Sequence, residues 1–424
     1  MPLPHAVEPV PSVHAMHAAA RVRPAAHAAP PARAVPPPLA GPTRRMYGYL
    51  PYWTYDVADV PFEHITDLAV FSVSADADGS LSELSRWTGR AADAVRLGHA
   101  AGVRVHLCVT QFDRDTLDSI LGSSSARARL VSAVATQLRA YGADGVNIDF
   151  EGVRAGQRAN MVSLVRELKA AGVGDVTLAT PAVDWSGAWD YATLAEDSDG
   201  LFIMGYEYHW SGGDPGPNAP LDDGGVWDSY TLRWTVNDYR SAGAPVDKII
   251  LGLPLYGHTW PVADANDVPG TATGRASSIT YGQTLDAAGR RWDAASSSPW
   301  YPGSGTQTWY EDLQSVETRV RWALLEEDLG GVGFWALGYE ANDPAFWGAM
   351  DAVMDEAASR DAPTGDTATA TATGAGTEDG GDVPSASKLG GEPEACGCAA
   401  PGGAPGTMLA LAGWMAARAR RRRP

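Results

Sequence analysis

Asp144-Gly-Val-Asn-Ile-Asp-Phe-Glu151, followed by Gly152, is the stretch on which the fold is read. As a β-strand its side chains alternate between two faces. Val146, Ile148 and Phe150 share one face; Asn147, Asp149 and Glu151 share the other, with Gly145 beneath them. The apolar face suits packing against helices. Polar groups stacked on the opposite face are costly to bury unless partnered, and no Lys or Arg in the strand offsets them. In a closed parallel barrel that face lines the interior and rises toward the C-terminal mouth, where barrel active sites lie. The competing, purely structural reading is a self-satisfied ion cluster in the core.

Working outward, short β-branched or aromatic runs alternate with helical patterns from Met46 onward: YGYLPYW, ITDLAVFSV, VRVHLCVTQ, DGVNIDFEG, VTLATPAVDW, GLFIMGYEYHW, KIILGLPLYG and GVGFWALGY. Amphipathic stretches such as 126–141 and 158–171 lie between them. These eight candidate strands predict an α/β fold of the (β/α)8 TIM-barrel type. A doubly wound open sheet would stop near about six strands, and no glycine-rich phosphate loop opens a helix. The seventh strand ends near Tyr256 and the eighth starts near Gly331. The long connection contains ITYGQTLD, RRWDAAS and TQTWYED, so a small α+β insertion over about 258–313 is expected between strands 7 and 8, walling one side of the active face. Residues 316–327 read as the last crossover helix.

The barrel domain is thus expected over 45–358. Residues 1–44 are rich in Ala, Pro and His without periodicity and read as a disordered leader. It shows no compact apolar segment after a basic start, so no secretory signal is recognised in it. His5, His14, His17 and His27 are too scattered in it for a metal site. Residues 359–395 form a low-complexity linker. At 396–424 come Cys396 and Cys398, an apolar run at 407–417 too short for a span of about twenty residues, and a basic end with Arg418 and Arg420 to Arg423. That order resembles a MYXO-CTERM-type sorting tag, which implies processing and anchoring at the cell surface. Cys108, in VRVHLCV, reads as a buried thiol. The net charge of −19 argues against nucleic acid as a partner, since phosphate binding needs clustered Lys and Arg. It is compatible with a neutral polymer, and fifteen Trp and fifteen Tyr supply flat faces for sugar stacking or for the core.

Carboxylates two residues apart on one strand face suit acid catalysis, because burial and a neighbouring negative charge both raise a carboxyl pKa. The run 144–151 resembles the D-x-x-D-x-D-x-E signature of glycoside hydrolase family 18, the chitinase-like barrels. Met204-Gly-Tyr206-Glu207, Gly252-Leu-Pro-Leu-Tyr256-Gly, Gly333-Phe-Trp335-Ala and Tyr47-Gly-Tyr-Leu-Pro-Tyr-Trp53 are similar to further segments of that family. Trp210-Ser-Gly-Gly-Asp-Pro-Gly-Pro-Asn-Ala-Pro220-Leu resembles the branch with spore-cortex and other peptidoglycan-directed members.

The resemblance implies retaining, substrate-assisted cleavage of β-1,4-linked N-acetylglucosamine glycans, chitin or peptidoglycan, without metal or organic cofactor. Glu151 would be the acid and then the base, and Asp149 would orient the acetamido nitrogen and stabilise an oxazolinium intermediate. Tyr206 would hold the acetamido oxygen, and Trp335 would stack beneath the sugar. Asn147, Glu207, Tyr256, Trp53 and Trp210 would line the substrate site. Asn147 stands where the signature most often has Asp, and Glu207 where Asp or Asn is usual; His258 follows Tyr256-Gly, where a basic residue is common. The implied protein is an extracellular or surface-held monomer with a polysaccharide partner; the rival is a catalytically weak or inactive lectin on the same barrel, which typically lacks the acid. Among other residues, His106 reads as a core histidine. His209, Asp184, Trp185, Trp189 and Trp227 are set between sugar contact and loop packing.

Overall fold

Eight parallel strands close into a barrel: Arg45–Pro51, Asp67–Ala75, Arg104–Gln111, Gly145–Phe150, Asp175–Pro181, Gly200–Met204, Ile249–Pro254 and Gly331–Trp335. They are numbered one to eight below. Each pairs with the next, and strand one pairs with both strand two and strand eight, so the barrel leaves no edge. The computed structural model describes residues 12–20 and 44–361.

The alternation in strand four is realised as expected. Val146, Ile148 and Phe150 are wholly buried, and so are Asn147 and Asp149 on the other face. A Cβ on Gly145 would lie 2.2 Å from the carbonyl oxygen of Asp175 and 2.8 Å from His106 Nδ1, so only glycine lets strand five and His106 approach here. The outer helices form where the periodicity places them. Ser124–Tyr141 is capped by Ser123, whose hydroxyl accepts from the Ala126 amide, and it ends at left-handed Gly142. Its buried stripe is Leu130, Val131, Val134 and Leu138. The last crossover helix is Leu313–Arg321, starting three residues before the expected 316 because Asp312 and Ser315 form a capping box; it continues as a π-helical turn, Trp322–Glu326.

At the closed end of the barrel Asp67 and Asp175 are paired with basic side chains. His106 Nε2 lies 2.9 Å from Asp67 Oδ1, Arg104 donates to Asp67 Oδ2 at 2.9 Å, and Arg45 donates to Asp175 at 2.8 Å. Burial alone would raise the Asp67 carboxyl. The hydrogen bond from His106 and the charges of His106, Arg45 and Arg104 outweigh it and hold Asp67 well below the usual range.

Between strand seven and the last crossover helix lies a five-stranded antiparallel sheet, in the order Ser277–Thr280, Tyr256–Pro261, Thr306–Trp309, Ser298–Pro302, Arg291–Asp293. It begins at Tyr256, and its helical content is one 3-10 turn, Tyr281–Thr284, so the α+β expectation is corrected to an all-β one. ITYGQTLD ends a strand and makes that single turn. The sheet has its own core of Trp227, Trp260, Val262, Trp300 and Trp309.

Within the stretch 1–44 the disordered reading is corrected for 13–20 alone, because Val13–Ala20 is an α-helix and buries Val13, His14 and His17. Ser12 caps it, its hydroxyl accepting from the Ala15 amide at 2.9 Å, and its alanines favour helix. The final helix, Pro344–Asp361, runs three residues beyond the expected domain end at 358. The sorting tag at 396–424, with Cys396 and Cys398, lies outside the described residues, as does the linker beyond residue 361. Among the described residues no helix is long and apolar enough to cross a membrane.

Candidate active site

The site is built in layers up the barrel interior. In the lower layer Asn147 is wholly buried; it accepts from Tyr49 Oη at 2.9 Å and donates to Thr177 Oγ1 at 3.0 Å, while Tyr47 Oη lies 3.0 Å from that same hydroxyl. The Cys108 thiol, buried as expected, lies 3.5 Å from Asn147 Oδ1. Strand geometry places Asn147 two residues, about 6.6 Å, below Asp149. Its amide ties strands one, four and five together.

The upper layer holds the two carboxyl groups. Asp149 is buried, with Oδ1 lacking a hydrogen-bond partner among the described residues and Oδ2 2.7 Å from His14 Nδ1. Glu151, just past the end of strand four, accepts from the Ser12 hydroxyl at 2.6 Å. Burial, reinforced by the charge of Asp149, pushes the Glu151 carboxyl up to about 7; His14 and the Ser12 hydroxyl pull it the other way. Tyr206, beyond strand six, has its hydroxyl 2.8 Å from His14 Nε2. Burial, with the charges of Asp149 and Glu151, keeps that phenol well above its ordinary range, hence neutral. Trp335, at the end of strand eight, forms the floor. Phe71 meets its ring edge-on at 4.9 Å and Tyr49 at 5.8 Å, which fixes its plane.

A buried Asp149 and a part-buried Glu151, with Tyr206 and Trp335, thus stand at the barrel mouth on the segments that carry the motifs. The match to the model of glycosyl hydrolases family 18 runs over residues 48–340 and takes in every one of these four groups. The chain belongs to glycosyl hydrolases family 18. YdhD of Bacillus subtilis, assigned by name as a sporulation-specific glycosylase, is 30% identical over 244 residues, 53% of this chain and 54% of the relative. The cortical fragment-lytic enzyme of Bacillus anthracis is 25% identical over 292 residues, 65% of each chain. The chain therefore spans from about half to just under two thirds of these curated relatives. Its fold is that of the Group IV chitinase of Ostrinia furnacalis, solved in complex with allosamidin (TM-score 0.69, 17% identity, covering 74% of this chain and 99% of that one).

Around these family 18 groups the remaining expected residues fall into place unevenly. Glu207 has a left-handed backbone, φ 63°, and its amide donates to Asn218 Oδ1 at 2.9 Å. Its carboxylate accepts from Tyr256 Oη at 2.6 Å and lies 2.8 Å from His258 Nε2. The additional methylene thus carries Glu207 onto Tyr256 and His258, giving His258 a partner that the sequence left open. Trp53 is half-buried, donates to Tyr339 Oη at 3.3 Å and meets Trp335 edge-on at 6.2 Å. Trp210 does not join the cluster; its ring covers Gly212, where a Cβ would come within 2.3 Å, and faces Arg275. His106 is a core residue bound to Asp67. His209 packs edge-on against Trp227, which belongs to the insertion core. Trp189 is buried, Asp184 caps its own loop through the amides of Ser186, Ala188 and Trp189, and Trp185 is exposed.

Ser12, His14 and His17 were missed. Their signal was a serine followed by a short alanine-rich helix with histidines three apart. His14 is stacked on Trp335 with centroids 3.8 Å apart, and Trp335 Nε1 donates to His17 Nδ1 at 2.9 Å. Ligand atoms of His14, Asp149 and Glu151 lie within 4.8 Å of one another, a spacing that could hold a cation, as could those of Asp67, His106 and Asp175. In the second group the guanidinium groups of Arg45 and Arg104 already supply the positive charge.

Proposed function

We propose that this protein is a retaining glycoside hydrolase that cuts β-1,4-linked N-acetylglucosamine glycans, the polymers of chitin and peptidoglycan. The observation that carries the reading is Glu151, a carboxyl held near 7 at the barrel mouth beside Asp149 and above Trp335. Near neutral pH it can donate a proton to the leaving glycosidic oxygen. The acetamido carbonyl oxygen of the sugar over Trp335 attacks the anomeric carbon as the glycosidic bond breaks, giving a cyclic oxazolinium ion. Asp149 balances its charge and takes the N–H hydrogen bond, and the Tyr206 hydroxyl donates to the acetamido oxygen. Glu151, now a carboxylate, then takes a proton from water as that water opens the ring and restores the configuration. The barrel supplies no second carboxylate on the opposite side of the sugar in this scheme; the substrate is its own nucleophile.

An inactive lectin is the weaker reading, because Glu151 is present and perturbed in the direction an acid needs. Spore-cortex relatives favour peptidoglycan, and the tail after residue 361 favours display at the cell surface, which fractionation of native cells would test. Function is tested by incubating the full chain and its His14→Ala variant with chitin and with peptidoglycan and identifying released ends by mass spectrometry. New reducing N-acetylglucosamine-type ends that Glu151→Gln fails to produce are expected. Intact polymers with both proteins at every enzyme load would overturn the reading.

A further inference from the structure

The helix Val13–Ala20 sits in the mouth of the barrel and engages the groups assigned above to substrate. Ser12 Oγ donates to Glu151. His14, wholly buried, lies between Asp149 and Tyr206 and is stacked on Trp335 at an interplanar angle of 26°. His17, also wholly buried, takes the indole hydrogen of Trp335 and meets Tyr256 edge-on at 4.4 Å. Met16 lies 4.0 Å from the Ser211 hydroxyl on the loop above. The barrel does not need this segment to close, since strand one starts at Arg45 and pairs with strands two and eight. A helix recruited only for packing would bury its apolar side; this one, besides Val13, buries one imidazole against Asp149 and Glu151 and a second against Trp335 and Tyr256.

The match to the reaction is chemical as well as spatial. With hydrogen on Nδ1, His14 offers a donor to Asp149 and an acceptor to Tyr206, as the N–H and carbonyl oxygen of an acetamido group would. Protonated, it is a planar five-membered cation over Trp335 beside Asp149, the shape and charge of an oxazolinium ring. Burial alone would push the His14 imidazole down, but Asp149, with Glu151 and Glu207, outweighs it and raises it. Burial, with His258 and His14 nearby, holds His17 well below its ordinary value, so it is neutral and able to accept from Trp335.

We propose that residues 12–20 are a built-in inhibitor of the cleavage site, with His14 occupying the place of the substrate's N-acetyl group and of the cyclic intermediate. This rests on the glycosidase reading. The segment is part of the chain, so its occupancy does not fall on dilution, and a glycan binds only to the fraction from which it has moved away.

The test compares the full chain with its His14→Ala/His17→Ala variant, using the tetramer of β-1,4-linked N-acetylglucosamine. The variant should show an apparent KM lower by about tenfold or more, with kcat little changed, because the competent fraction rises. In a Glu151→Gln background, the same two substitutions should tighten tetramer binding by a similar factor in calorimetry. A synthetic peptide of residues 10–21 should inhibit the variant competitively, and the peptide with alanine at 14 and 17 should not. Equal KM and equal binding in the two proteins would overturn the inhibitor. A variant that loses thermal stability and turnover together would also overturn it, since the helix would then be structural. Tighter binding without turnover in any form would sink the glycosidase reading and leave the inhibitor standing. Neither binding nor turnover in the variant would sink both.

Discussion

As the proposed acid, Glu151 would act only while protonated. Its carboxyl is pushed up to about 7, so kcat/KM should be full below that pH and fall above it; a pH–rate profile reads the limb directly. Glu151→Gln should cost about 10²–10⁴-fold in turnover, with the fold unchanged by circular dichroism. Asn147→Asp adds a carboxyl one layer beneath Asp149. If it ionises there, like-charge repulsion raises Glu151 further, and the alkaline limb should move to higher pH; a fixed limb would show that position 147 is electrically silent. The positions of Asp149, Glu151, Tyr206 and Trp335 on the strands were legible because strand alternation and motif spacing are local. The partners of Asn147 were not, because Tyr49 and Thr177 come from strands distant in sequence.

At the scale of elements, strands and helices follow period and caps closely, and the exceptions are instructive. The antiparallel sheet was read as mixed because its pairings join Tyr256–Pro261 to Thr306–Trp309 across a long gap, which no local pattern reports. The loop after strand five leaves Trp185 62% exposed, with Tyr230 edge-on at 4.8 Å and Trp234 edge-on to Tyr230. An exposed indole braced by aromatics on the mouth side suits stacking on a sugar beyond the cleavage point. Trp185→Ala should lower the rate on insoluble polymer several-fold, by about 0.5–1.5 kcal/mol of lost stacking, and leave a short chromogenic reporter unaffected. Equal losses on both substrates would count against that role.

For the whole molecule, barrel closure sets stability and assembles the site together. Asp67 ties strands one, two and three through Arg45, His106 and Arg104 at the closed end. Asp67→Asn should cost about 3–5 kcal/mol in urea unfolding at pH 7, as loss of one partner leaves buried charge uncompensated. The folded carboxyl is depressed, so its contribution is present above the ordinary Asp value of about 3.9 and lost as pH falls toward the folded value. The difference between the two proteins should therefore shrink in acid.

The sequence by itself determined the strand order, the barrel, the acid pair and the family, because alternation, capping and motif spacing act over a few residues. Only the tertiary structure decided what meets the pair. His14 reaches Asp149 across 135 residues and Tyr206 across 192. No periodicity encodes such contacts; they exist only once the closed barrel has brought Asp149, Tyr206 and Trp335 to one mouth wide enough for a helix to enter.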